Sequence, residues 1–243
     1  MITLLGVGHV FDIKHNVEDL IITRQPNLVC VELDKARYQA LVSRTPNENA
    51  PLIYALLAKF QENIAGKYEV KVGEEMLAAV ESAKKIGASL AFIDVEASQA
   101  FANIWRKMSL KERMKLLIGA IGGLFVRKKR IEKELKNFEK NSEEYMKAFG
   151  QSFPTIKREL VDNRDKYMAG RIREYAKRFT RIVVVIGDGH IIGIKKALAD
   201  LNPEVIRLKD LRAMKLSKKP GAAIEPKKTE TSEVGFSYLY KGD

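Results

Sequence analysis

Two of the three histidines in this chain occupy the same setting. Residues 182–186, Ile-Val-Val-Val-Ile, run into Gly187-Asp188-Gly189-His190, and residues 2–5, Ile-Thr-Leu-Leu, run into Gly6-Val7-Gly8-His9. Each is a G-x-x-H at the end of an apolar run. A lone histidine there is usually structural; its recurrence beside an anomalous carboxylate is what points to a site. That carboxylate is Glu32, inside the apolar stretch 28–33, where a buried charge needs a partner or a function. Asp94 closes a similar stretch at 89–93, and Arg37 and Arg164 add cations. Neutral imidazole with carboxylate is a ligand set for a divalent transition metal (Mn, Co or Zn) that would activate water for hydrolysis. The same residues without a metal could work as a histidine general base oriented by Glu32, with an arginine stabilising developing negative charge. Both chemistries stay open on residue types alone.

In the metal reading His9 and His190 ligate the ion, with Glu32 as third ligand or general base. Arg164 points its guanidinium at a substrate carboxylate or oxyanion. Arg37 either joins it or merely neutralises Glu32 or Asp34. Asp94, Asp188 and Tyr167 are expected to contact substrate.

These residues need strands to hold them. The β-branched run 182–186 suits a strand covered on both faces, as in a parallel sheet, and a polar group at the carboxyl end of such a strand is where open α/β sheets place their sites. Residues 2–6, 28–33, 89–93 and 182–186 are therefore expected to share one sheet, with 204–208 a short further strand. Helices are expected over 16–24 (capped by Asn16), 34–43, 52–65, 74–85 and 195–200. From 97 to 178 only helices are expected, as an insertion capping the cleft. Within it Ser109 and Glu112 form a capping box, Pro154 opens a helix at its first turn, and that helix carries Glu159, Asp162, Arg164 and Asp165. The resulting fold class is α/β, a central mixed, largely parallel sheet with flanking helices. It would form one domain over 1–214, followed by a mobile basic tail, 215–243, with an edge strand at 234–240.

The 243 residues allow one large domain, and 46% hydrophobic content is enough for a core. One cysteine excludes an internal disulfide framework, and Cys30, within an apolar run, reads as a core residue. Because Met1 leads straight into a strand, a cytoplasmic chain without signal peptide is expected, or the soluble domain of a longer membrane-anchored protein. A net charge of +12 with the cluster Arg127-Lys128-Lys129-Arg130 raises anionic membrane and nucleic acid as partners, but a solvated helix face explains it better. The apolar run 116–126 is too short to span a bilayer, for which ~20 residues are needed, and could instead mediate a homodimer.

Several stretches resemble the TraB/PrgY family, which is related to the Tiki proteins and more distantly to erythromycin-esterase-like folds. They are Gly6-Val7-Gly8-His9, Val17-Glu18-Asp19, residues 26–34 with Arg37-Tyr38, and Gly73-Glu74-Glu75-Met76. The likeness continues through Gly87-Ala88 to Asp94, Trp105, residues 160–169 and Gly187-Asp188-Gly189-His190 with Gly193-Ile194, in order over most of residues 1–200. Three positions depart from the usual pattern: Val7 in the first G-x-x-H, Asn163 before Arg164, and Val95 after Asp94. The resemblance implies an α/β fold with paired G-x-x-H motifs, an acid and an arginine around one cleft. It also implies a metal-dependent protease acting on a peptide substrate. His9, Glu32, Arg37, Arg164 and His190 are the matching positions.

Overall fold

The computed structural model describes residues 1–8, 11–43, 73–96, 103–123, 137 and 142–214. His9, the expected helix 52–65, the basic cluster 127–130 and the tail 215–243 with its edge strand lie outside them.

Strand β1 (Ile2–Val7) and strand β4 (Ile182–Gly187) lie side by side, Ile2 opposite Ile182 and Val7 opposite Gly187. Strands β2 (Leu28–Val31), β3 (Ser89–Phe92) and β5 (Glu204–Ile206) complete the order β3-β2-β4-β1-β5. The fold is the expected α/β class, a largely parallel sheet flanked by helices, and among the described residues every pairing is in fact parallel. The last strand is also shorter than expected: β5 stops at Ile206, and Leu208 already opens a helix.

Parallel strands need crossovers, and these supply the layers. Side chains alternate along each strand, and both sets are apolar because both faces are covered. Leu5, Val7, Val29, Val31, Val183 and Val185 face helices α1 (Lys14–Arg24) and α3 (Glu74–Lys85); α2 (Lys35–Ser43) follows β2. Ile2, Leu4, Leu28, Cys30, Ile182, Val184 and Ile186 face Met168, Ala169 and Ile172 on one helix and Ile191 and Ile194 on another. Burial pushes the Cys30 thiol far up, which keeps it a neutral core group. Asn16 does not cap α1. The helix starts at Lys14, and the Asn16 amide instead donates to the carbonyls of Leu211 and Met214 at 2.9 and 3.3 Å.

Between β3 and β4 the described chain is helical: residues 103–107, α4 (Leu110–Gly123), α5 (Ser142–Ser152) and a continuous run from Pro154 to Ala176. The Ser109–Glu112 capping box is present, and the other Glu112 oxygen accepts the Thr155 N–H at 2.8 Å, tying α4 to the later run. Leu116 packs towards a small core of Ile104, Met108 and Ile156, whereas Leu117 and Ile118 are exposed. No described helix is long and apolar enough to cross a membrane. The run from Pro154 comprises α6 (Pro154–Lys157), one π-helical turn (Arg158–Asp162) and α7 (Asn163–Ala176).

Candidate functional site

The first positioning device is the sheet itself. Glu32 and Asp94 lie just beyond β2 and β3, yet ladder hydrogen bonds still hold their backbones: Glu32 N–H to the Val185 carbonyl at 3.0 Å, Asp94 N–H to that of Leu33 at 3.3 Å. Both carboxylates are buried at the carboxyl edge, where the parallel strands stop and α7 crosses.

Arg164 on α7 joins them. Its Nε and Nη2 donate to the two Asp94 oxygens at 2.9 and 2.7 Å. Nη2 also donates to Glu32 Oε1, and Nη1 to the Leu160 carbonyl at 3.1 Å. Leu160 lies in the π-helical turn, a wider turn that redirects backbone groups and commonly occurs at functional sites. All three guanidinium nitrogens are thus engaged, and the paired carboxylates raise the Arg164 pKa against the opposing effect of burial.

His190 comes from a 3₁₀ turn (Asp188–His190) that leads into α8 (Ile191–Ala197). Its Nδ1 is 2.6 Å from Asp165 Oδ1, and its Nε2 is 3.3 Å from Glu32 Oε1. The second Glu32 oxygen accepts the Gly187 N–H at 2.6 Å. Burial alone would lower the His190 pKa; the Glu32 carboxylate and the hydrogen bonds to Asp165 and Glu32 instead push it up to about 9. Burial works against ionising Glu32, but His190, Arg164 and the Gly187 N–H outweigh it and hold its carboxyl well below the usual carboxylate range. Asp165 moves the other way: burial raises it, with His190 only partly compensating. Asp165 and Glu32 thus flank the His190 ring and favour its charged form, and the Arg164 guanidinium bridges Glu32 to Asp94.

Glu32, Asp94, Arg164 and His190 are brought together as the sequence suggested, and Arg37 reaches the same cluster. Its partner is neither Glu32 nor, through its side chain, Asp34: Nη1 donates to Asp94 Oδ2 at 2.9 Å, and the Arg37 backbone N–H donates to Asp34 Oδ1. Asp188 turns away from this centre to a second one. Both its oxygens are held by Arg207, at 2.8 and 2.6 Å, and Oδ1 also accepts the Leu208 N–H at 2.9 Å. Gly6 makes room for it, since a Cβ there would meet Asp188 Oδ1 at 2.3 Å. Tyr167 is 44% exposed on α7. Asp165 is the residue that sequence reasoning passed over. Its signal was adjacency to Arg164, together with Gly193, where a Cβ would lie 1.9 Å from Asp165 Oδ2.

This order of elements and motifs matches the TraB/PrgY/gumN family over residues 1–208. The chain belongs to that family. A curated relative, an uncharacterized protein of Methanocaldococcus jannaschii (MJ1365), is 32% identical over 232 residues. The match covers 90% of this chain and 58% of the relative, so the chain spans little more than half the relative's length.

Among the described residues no group of three or more His, Cys, Asp or Glu is placed to hold a metal ion. Two donors of this TraB-family centre nevertheless suit one. His190 Nε2 and Glu32 Oε1, 3.3 Å apart, are an imidazole and a carboxylate, and Asp165 behind the ring is the outer carboxylate that metal-ligating histidines commonly have.

Proposed function

We propose that this TraB-family chain is a hydrolase of peptides whose reaction centre is Glu32 and His190, with a divalent metal (Mn, Co or Zn) held by His190, Glu32 and His9. The observation that carries the reading is the buried line Asp165–His190–Glu32. Asp165 fixes the ring by accepting its Nδ1–H, so Nε2 is the nitrogen offered towards Glu32 Oε1. Gly187 N–H holds the other Glu32 oxygen, so Oε1 is the one that faces His190, shared with Arg164. A bound ion would polarise the peptide carbonyl and lower the pKa of its water towards neutrality. Arg164 helps to keep Glu32 ionised and orients both Glu32 and Asp94, a supporting role rather than the substrate contact expected for it.

A metal-free version is favoured by one observation. Both His190 nitrogens already face carboxyl groups, Asp165 and Glu32, and Arg164 donates to the same Glu32 oxygen that a metal would need. There His190 serves as the general acid–base and Glu32 as its partner.

The test is cleavage of a peptide library by protein purified without chelator, with its metal content measured. Cleavage should stop on chelation, return with Mn, Co or Zn, and disappear in His190→Ala and Glu32→Gln. Cleavage that survives chelation but not His190→Ala leaves the metal-free version. Absence of cleavage with every metal removes the enzyme reading.

A further inference from the structure

We infer that Arg37 is the substrate-anchoring cation of this cleft, taking a carboxylate of the bound peptide on the guanidinium edge that Asp94 leaves open. The inference rests on the reading of the site as a peptide-binding centre and adds to it the substrate class, a peptide with an anionic group near the reacting bond.

Geometry carries it. Arg164, the cation first expected to face substrate, has every guanidinium nitrogen bonded within the protein, and its side chain is only 14% exposed. Arg37 uses Nη1 alone, on Asp94, and its side chain is 29% exposed. Its Nε and Nη2 have no partner among the described residues. Those two nitrogens form the side edge of the guanidinium, whose parallel N–H groups match the two oxygens of a carboxylate. The chain uses this edge for carboxylates twice elsewhere, Arg164 on Asp94 and Arg207 on Asp188. In Arg37 the same edge has no partner among the described residues.

Position and order support the role. Asp94 Oδ2 accepts from both Arg37 and Arg164, and Arg164 in turn holds Glu32, so one carboxylate and one guanidinium separate Arg37 from the reaction centre. Arg37 is fastened twice, by its backbone N–H to Asp34 at 2.9 Å and by Nη1 to Asp94 at 2.9 Å. Much of the side-chain entropy that a flexible arginine loses on binding is already gone, which favours anchoring over simple solvation. The carboxylate could be the peptide's own terminus or an acidic side chain; the chemistry at Arg37 is the same.

Calorimetric titration of the full chain separates these sources with three probes: acetyl-Ala-Ala-Ala with a free carboxylate, its amide, and acetyl-Ala-Glu-Ala amide. At least one carboxylate probe should bind ~10-fold or more tightly than the Ala amide, a factor that corresponds to ~1.4 kcal/mol. Whichever acid does so identifies the source. Arg37→Gln should abolish the preference, and Arg37→Lys, charged but lacking the two-pronged edge, should retain only part of it. Asp94 keeps Arg164 in both variants, and circular dichroism checks that they fold. Equal binding of all three probes, a preference that survives Arg37→Gln, or no binding of either acid at millimolar concentration overturns the inference. Arg37-dependent binding without cleavage removes the hydrolase reading alone. Cleavage indifferent to Arg37 and to the carboxylate removes this inference alone.

Discussion

Arg164 has the largest structural role of any side chain in the centre, because two buried carboxylates depend on it. Glu32 and Asp94 have side chains 5% and 2% exposed, and although His190 and Arg37 stay beside them, losing the one cation that serves both leaves buried negative charge under-compensated. Arg164→Met should therefore destabilise the protein by about 3–5 kcal/mol in chemical denaturation. Arg24 makes an equally well-formed bridge to Glu204, at 2.6 Å, but those side chains are 33% and 37% exposed. Water screens that pair, so Arg24→Met should cost about 1 kcal/mol or less. Similar losses for the two variants would mean that the Glu32–Asp94 pocket admits water or rearranges when Arg164 is gone.

The helix that carries Arg164 shows what the sequence disclosed and what it could not. Strand β4 is legible because an unbroken apolar run of five residues has few other uses, β1 because a shorter run precedes the same G-x-x-H, and Glu32 stands out as the charge closing the run that forms β2. The run 160–169 offers two acids, Asp162 and Asp165, with no means of ranking them. Which of these faces the sheet depends on the π-helical turn at Arg158–Asp162, and its hydrogen-bond pattern leaves no periodic mark. Asp165 was missed for that reason. The order of strands across the sheet was likewise hidden, since parallel pairing is fixed by how crossovers pack rather than by any strand's own residues.

Gly193 records the packing of α7 on α8, and Gly193→Ala tests it. The added Cβ would have to displace Asp165 from His190, costing about 1–3 kcal/mol and lowering the His190 pKa from about 9. Gly87 is the control. It sits at φ +70 with nothing within 4 Å of a built Cβ, so Gly87→Ala should cost about 1 kcal/mol of backbone strain and leave His190 alone. Titration of the His190 ring signals by NMR in both variants measures the difference.

At the scale of the molecule, helices cover both sheet faces, and the cluster at the carboxyl edge adds its own pH dependence to folding. His190 is raised from 6.5 to about 9 in the folded state. In the metal-free protein its contribution is full below about 6.5 and fades as pH rises through about 9, because only the folded state binds the proton across that window. Glu32, lowered from 4.5, acts on the other side: its contribution is present above 4.5 and is lost as pH falls through its depressed folded value. Asp165, raised from 3.8, partly offsets that acid loss, since the folded state binds its proton more readily than the unfolded chain does. The His190 and Glu32 contributions are thus both present between about 4.5 and 6.5, and that of His190 declines as pH rises to about 9. Thermal melts of metal-free protein from pH 4 to 10 measure the curve. In His190→Gln, which cannot hold that proton, the decline between about 6.5 and 9 should flatten. An unchanged alkaline decline in this variant would show that another group controls it, and that His190 is not the charged centre of the cluster.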